Sequence, residues 1–326
     1  MISRRALISR GALAAAGGGA LFLVRDRLPW PPLEVRFANG LGTPWQPLPE
    51  RPGLVEIATA VNGAPVRALV DSGAQLSAID SGLARRLALP HIIAAPLLAY
   101  GVSGKPSLTH TVRLDLAAPG LAVPGLRAAV LDLAAIAQAS GRDFQLIIGR
   151  DVLSRLVLEA DFPMGRARFL APGAERRPAR DAINLPLSAG LPRASVTIEA
   201  APAMDLLVDT GATGVLALSA AAARQAGLTA PGRQVGQSLS VSLGGLQAEQ
   251  TTLAHTVRLG GLTLHDVPVQ VYSPAANAPA ATGLIGTGLL RQFHVRLDLP
   301  GRRLTLTPPP VRVVASPRWP SVEPSR

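Results

Sequence analysis

The chain repeats itself once, and that constrains its fold more than any other feature. Leu69-Val70-Asp71-Ser72-Gly73-Ala74 returns as Leu207-Val208-Asp209-Thr210-Gly211-Ala212. His110-Thr111-Val112-Arg113-Leu114 returns unchanged as His255-Thr256-Val257-Arg258-Leu259. Ile147-Ile148-Gly149 is matched by Leu284-Ile285-Gly286, and Asp161-Phe162-Pro163 by Asp298-Leu299-Pro300. Matches in one order at similar spacing mean two homologous units, each of ordinary domain size. We place them at residues 53–174 and 181–310, with a Pro- and Arg-rich linker at 175–180 and a tail at 311–326. Two copies of one unit in one chain lead us to expect two similar lobes related by a pseudo-twofold axis.

Each unit reads as mostly β. Short runs rich in β-branched residues, Leu54–Val61 and Val66–Val70, flank the turn pair Asn62-Gly63, a hairpin signature. Val112–Leu116, Leu121–Val123 and Ala128–Leu131 continue as strands. Ile79–Leu89 and Leu216–Leu228 are the helix candidates at matching places in the two units, followed by shorter ones at Arg150–Leu156 and Thr287–Gln292. Frequent, scattered Gly (32) and Pro (30) suit many short strands joined by turns. Aromatic residues are only 3% of the chain, so Leu, Val, Ile and Ala must fill the core.

Composition removes several kinds of chemistry. There is no cysteine, hence no disulfide, no thiolate nucleophile and no Cys-based metal site. Five histidines show no HExxH or comparable ligand spacing, so no metal and no cofactor are implied. The net charge of +11 comes almost wholly from arginines spread along the chain. Nucleic-acid surfaces cluster their basic residues, so no nucleic-acid partner is read from this charge.

The first residues read as an address. Arg4-Arg5 precedes an apolar, small-residue run from Gly11 to Val24, the pattern of an export signal, and the paired arginines resemble the twin-arginine type. The run falls short of the roughly 20 apolar residues of a spanning helix. Residues 1–27 are therefore expected to export the protein to the periplasmic side or to hold it there as a short membrane anchor. Residues 28–52, rich in Pro, read as a tether with one edge strand around Leu33–Phe37.

The residues that carry chemistry are the repeated turns. A strand ending in Asp, then a hydroxyl residue, then Gly delivers the carboxylate at the strand end, and Gly permits the tight turn that aims it outward. Two such turns facing each other would bring two carboxylates together. Such a pair cannot both ionise readily and shares one proton. The ionised member can take a proton from water while the protonated member polarises a carbonyl. Asp71-Ser72-Gly73-Ala74 and Asp209-Thr210-Gly211-Ala212, each completed by its own apolar-apolar-Gly element, resemble the aspartic proteases. The likeness is greatest to the bacterial retropepsin-like kind with two lobes in one chain.

The resemblance covers about Arg51 to Pro308. It implies two retropepsin-like β-barrel lobes, a catalytic pair Asp71 and Asp209, and turns supported by Ser72, Gly73, Ala74, Thr210, Gly211 and Ala212. It also implies a hairpin flap, placed at Tyr100-Gly101-Val102-Ser103-Gly104 with Leu243-Gly244-Gly245 as its counterpart, and an extended polypeptide substrate. Since each chain carries both Asp turns, a monomer should suffice. The alternative is a non-proteolytic peptide-binding protein of the same fold in the bacterial envelope. Ala74 and Ala212 stand where pepsin-like enzymes often carry Ser or Thr. One hydroxyl donor fewer per turn leads us to expect a pH optimum above that of pepsin. Asp161 and Asp298 read as structural residues of hairpin turns, and His110 and His255 as packed or edge residues of strands.

Overall fold

The computed structural model describes residues 33–49, 53–100, 106–139, 141–174, 182–188, 190–233, 235–242, 245–273 and 282–309. The described chain is mostly strand, and the repeat shows in its topology. The entering segment contributes β1 (Arg36–Phe37) and β2 (Gln46–Pro47). The first unit then runs β3 (Glu56–Val61), β4 (Ala64–Val70), β5 (Ala78–Asp80), α1 (Ser81–Arg86), β6 (His91–Tyr100), β7 (Pro106–Ala118) and β8 (Leu121–Leu131). It closes with α2 (Leu133–Ala139), β9 (Leu146–Ile148), α3 (Arg150–Leu153), β10 (Val157–Asp161) and β11 (Arg166–Leu170). The second unit follows as β12 (Ile183–Pro186), β13 (Arg193–Ile198), β14 (Met204–Val208), β15 (Leu216–Ser219), α4 (Ala220–Gln225) and β16 (Gly236–Ser242). It ends with β17 (Gly245–Leu259), β18 (Leu262–Tyr272), β19 (Gly283–Ile285), α5 (Thr287–Leu290), β20 (His294–Asp298) and β21 (Arg303–Thr307).

The pairings repeat along with the elements. β4 lies parallel to β9, and β14 parallel to β19. β5 is parallel to β8 and antiparallel to β9; β15 stands in the same relation to β18 and β19. Each unit thus builds its own sheet, eight-stranded in the first and seven-stranded in the second. A third sheet, ordered β12-β21-β20-β10-β11-β2, joins the lobes. The closing hairpin of each unit leaves its own lobe and pairs with the other's, with Val157 opposite Asp298 and Asp161 opposite His294. Sequence reading placed these hairpins one per lobe; their union into one sheet is what fixes the lobes to each other.

Boundaries differ from the periodicity reading in instructive ways. Ile79–Asp80 and Leu216–Ser219 are buried strands, and the helices begin only at Ser81 and Ala220. Asp80 and Ser219 cap them, accepting from Leu83 N and Ala222 N. An apolar run next to an apolar helix face blurs into one period, and the capping residue is the true border. The three strands expected at Val112–Leu116, Leu121–Val123 and Ala128–Leu131 are two long ones, β7 and β8, bent by a register shift between Leu114 and Leu116. Asn62 and Gly63 both adopt positive φ, as the tight β3–β4 hairpin requires. The segment read as a tether is pinned along residues 33–49. β1 pairs with β8, β2 pairs with β11, and Thr43 and Phe169 exchange two hydrogen bonds.

The core answers the shortage of aromatics with branched aliphatics. One buried cluster, including Val55, Val70, Ile79, Val112, Val208, Leu216 and Leu297, runs through both lobes and the joining sheet. A second gathers Leu54, Leu69, Ala74, Leu76 and Phe144 beside the first Asp turn.

Candidate active site

Asp71 follows β4 and Asp209 follows β14, and each is positioned by the apolar-apolar-Gly element of its own lobe. Asp71 N–H donates to Ile148 O at 3.0 Å, and Asp209 N–H to Ile285 O at 2.9 Å. The residue after each glycine closes on the turn: Arg150 N–H donates to Ala74 O at 2.9 Å and Thr287 N–H to Ala212 O at 2.7 Å. Gly149 permits this closeness, because a Cβ there would meet Leu76 backbone carbon at 2.6 Å. The strand and its supporting element are thus bonded into one rigid seat for each carboxyl.

The hydroxyls cross between lobes. Ser72 Oγ donates to Val208 O at 2.7 Å, and Thr210 Oγ1 to Val70 O at 2.7 Å. In return Thr210 Oγ1 accepts from Ser72 N–H at 2.9 Å and Ser72 Oγ from Thr210 N–H at 3.0 Å. This four-bond latch is fully buried and reciprocal, as a pseudo-twofold axis through the site demands.

The two carboxyl groups sit over the latch and over each other's glycine. A Cβ on Gly73 would fall 2.6 Å from Asp209 Oδ2, and one on Gly211 would overlap the Asp71 carboxyl. Both aspartates have zero exposure. Asp71 Oδ1 accepts from Gly73 N–H at 2.8 Å and Ala74 N–H at 3.0 Å; Asp209 Oδ1 accepts from Gly211 N–H at 2.9 Å. No donor among the described residues reaches Asp71 Oδ2, and the Asp209 carboxyl lies close enough to act on the proton affinity of Asp71. Burial first, and then the charge of Asp209, hold Asp71 well above the usual carboxylate range, against the opposing pull of the Ala74 and Gly73 amides. A shared proton relieves both penalties.

Every residue predicted for the turns is therefore brought to one place. Ala74 contributes differently from expectation. Its N–H is a donor to Asp71, while its side chain packs in the apolar cluster of Leu54, Leu69 and Leu76. Burial is the largest cause of the upward shift at Asp71. Of the flap residues, Tyr100 ends β6, which pairs with β7 up to Pro106; Gly101, Val102, Ser103 and Gly104 lie outside the described residues, as do Leu243 and Gly244. Asp161 and Asp298 hold hairpin turns, accepting from Met164 N and Gly301 N. His110 stacks on His91 and His255 contacts Asp266, both pairs at the surface. Among the described residues no three His, Cys, Asp or Glu side chains converge as a metal site requires. A cavity of about 600 Å³ between Leu48, Leu54, Phe162 and Arg291 is lined by neither aspartate.

Sequence reading passed over two residues here. Asp151 accepts from Ser77 N and Oγ and so ties α3 to the chain after the first turn. Arg150 and Asp151 stand where the second unit has Thr287 and Gly288; two charges at places that are neutral in the other copy were the available signal.

Residues 57–152 match the family model described as aspartyl protease, and residues 194–292 match the one described as gag-polyprotein putative aspartyl protease. The two matched segments each contain one of the Asp turns. No curated protein matches the chain.

Proposed function

The chain belongs to the aspartyl proteases through both of its halves, and from that premise we propose that it is an aspartic endopeptidase whose catalytic pair is Asp71 and Asp209. The observation that carries this reading is the placing of two buried carboxyls, each over the glycine of the opposite turn. In that arrangement the pair holds one proton and one negative charge. The ionised member takes a proton from a water molecule, whose oxygen attacks the peptide carbonyl carbon. The protonated member donates to the carbonyl oxygen as it becomes a hydroxyl. On collapse the newly protonated member gives its proton to the departing amine while the other takes one from a hydroxyl of the tetrahedral species, so the pair ends as it began.

The substrate of this reading is a polypeptide in extended conformation, held between the lobes against the β6–β7 hairpin. One chain supplies both aspartates and both latch hydroxyls, so a monomer completes the site. We also place the protein on the periplasmic side of a bacterial membrane, on the strength of Arg4-Arg5 and the apolar run that follows.

The reading is tested with a diverse peptide library and mass-spectrometric detection of new termini. The intact protein should cut internal bonds, and a hydroxyl-containing transition-state analogue of statine type should block it. A folded protein that cuts nothing between pH 3 and pH 8 while still binding the analogue would leave only the peptide-binding alternative.

A further inference from the structure

The two lobes present unlike walls beside their Asp turns. In the first lobe a row of paired residues, Ala78, Ala129 and Thr111, crosses β5, β8 and β7. In the second the matching row is Ala217, Gln270 and Thr251, across β15, β18 and β17. The rows correspond because Ala78 lies opposite Ile147 and Ala217 opposite Leu284, matched residues of the supporting elements. Further along the same strands, Leu131 of β8 is answered by Tyr272 of β18, and Leu76 after the first Asp turn by Gly214 after the second. The first wall is apolar: Leu76, Ala129 and Leu131 pack with Leu133 and Ile136 of α2. The second carries Gln270 and Tyr272 on β18 with Thr251 and Glu249 on β17.

These four polar side chains form one surface. Alternate residues of a strand share a face, so Glu249 joins Thr251 and Tyr272 joins Gln270. The register sets Thr251 opposite Gln270, and its continuation past Gln250 and Val271 sets Glu249 beside Tyr272. Burial, and then the charge of Glu249, push the Tyr272 phenol up, so it keeps its proton. Gly214 joins the surface to the turn that carries Asp209, since a Cβ there would overlap Gln270 Oε1. α2, which backs the first wall, contacts β16, the strand beside β17, so the two walls flank one cleft. Thr111 and Thr251, at matching places in the two walls, are both buried, and neither hydroxyl meets a hydrogen-bond partner among the described residues. A buried hydroxyl left without a partner is costly, and a bound peptide lying between the walls would supply one to each.

We propose that the second-lobe wall is a substrate subsite that selects a Lys or Arg side chain near the scissile bond, with Glu249 as its specificity-determining residue. The surface gathers acceptors: a carboxylate, an amide oxygen and hydroxyl oxygens. The group that satisfies such a set is a cation rich in donors. Glu249 supplies the charge without which a cation would not leave water. Thr251 and Gln270 supply further acceptor oxygens toward the Asp turn. The first-lobe wall, with Leu76, Ala129 and Leu131 in the corresponding places, offers a cation nothing, so the preference falls on one side of the cut only.

The inference rests on the reading of the cleft as a peptide site, and it is tested by selectivity in two assays. Wild type and Glu249→Gln each digest a diverse peptide library. Both also bind, by calorimetry, statine-type analogues that carry either Lys or norleucine at each position flanking the hydroxyl. Wild-type cut sites should be enriched in Lys or Arg at one position. At that position the Lys analogue should bind about ten- to a hundredfold more tightly than its norleucine twin, the worth of a hydrogen bond to a charged group. In Glu249→Gln the ratio should fall to near one while the norleucine analogue binds as before. Two results overturn the proposal: a wild-type ratio near one at every position, or an unchanged ratio in folded Glu249→Gln. The first of these stands whether or not the variant folds. Hydrolysis with no preference for a cation removes the subsite and leaves the protease reading. A protein that cuts nothing, yet binds the Lys analogue selectively through Glu249, removes the protease reading and leaves the subsite.

Discussion

Asp71 keeps a carboxyl where solvent does not reach it, and this has a thermodynamic signature apart from catalysis. Its proton affinity is raised in the folded state, chiefly by burial and next by Asp209. Below the ordinary carboxylate range, near the reference value of 3.8, folded and unfolded chains both hold the proton and there is no penalty. As pH rises above that value the unfolded chain ionises while the folded chain resists, so the folded state loses stability until its own ionisation is reached. Asn at position 71 resembles the protonated acid: its carbonyl can accept from Gly73 and Ala74, and its amide can donate to Asp209. Asp71→Asn should therefore raise the melting temperature at neutral pH, with the gain shrinking to nothing below about pH 4. Calorimetric melts of the two proteins from pH 3 to pH 8 check this; a gain that is flat with pH would contradict it. Gly73 makes a sharper demand. A methyl group there would sit within 2.7 Å of the Asp209 carboxyl carbon, so Gly73→Ala should lower kcat by at least about a hundredfold, measured on any peptide the wild type cuts.

The latch between β4 and β14 ends is the element on which the site's geometry depends. Thr210→Val removes the hydroxyl that donates to Val70 O and accepts from Ser72 N, leaving both backbone groups buried without those partners. Each such loss costs about 1–3 kcal/mol, so this single change should destabilise the protein by roughly 2–6 kcal/mol. Ser72→Ala should do likewise through Val208 O and Thr210 N. Because the four bonds form one network, the double variant should lose less than the sum of the singles, as read from denaturant midpoints. The latch was partly legible in the sequence. A hydroxyl residue beside each Asp has only the turn or the opposite lobe to bond, and the repeat supplied the opposite lobe. Other elements were less so. The strand starts of α1 and α4 were absorbed into the helices because apolar residues line both. α2 was missed: Leu133–Ala139 is mostly alanine, and Asp132 before it, a residue type that favours helix N-termini, went unread as a border with the strand.

At the scale of the molecule, the duplication read from four short matches is what the sheets display, down to parallel and antiparallel partners. What pattern could not give was the third sheet, since nothing in a strand's alternation names its partner across lobes. That sheet carries a consequence for assembly. β10 and β20 pair along their whole length within one chain, and the latch lies within one chain as well. Specific activity should then be constant on dilution, and a fall in step with loss of a dimer would contradict the single-chain site. Location belongs to this scale too. No helix among the described residues is long and apolar enough to cross a membrane, and residues 1–32 lie outside them. A full-length protein tagged at its C-terminus should fractionate with the periplasm or the membrane, and recovery in the cytosol alone would remove the export proposal. The central claim is that Asp71 and Asp209 work as one unit. It is tested most directly by measuring kcat/KM for the wild type, Asp71→Asn, Asp209→Asn and the double variant on one peptide. The account predicts that each single change falls to the floor of the double, because half of a shared-proton pair does nothing. Substantial activity in either single variant, or losses that multiply in the double, would contradict it.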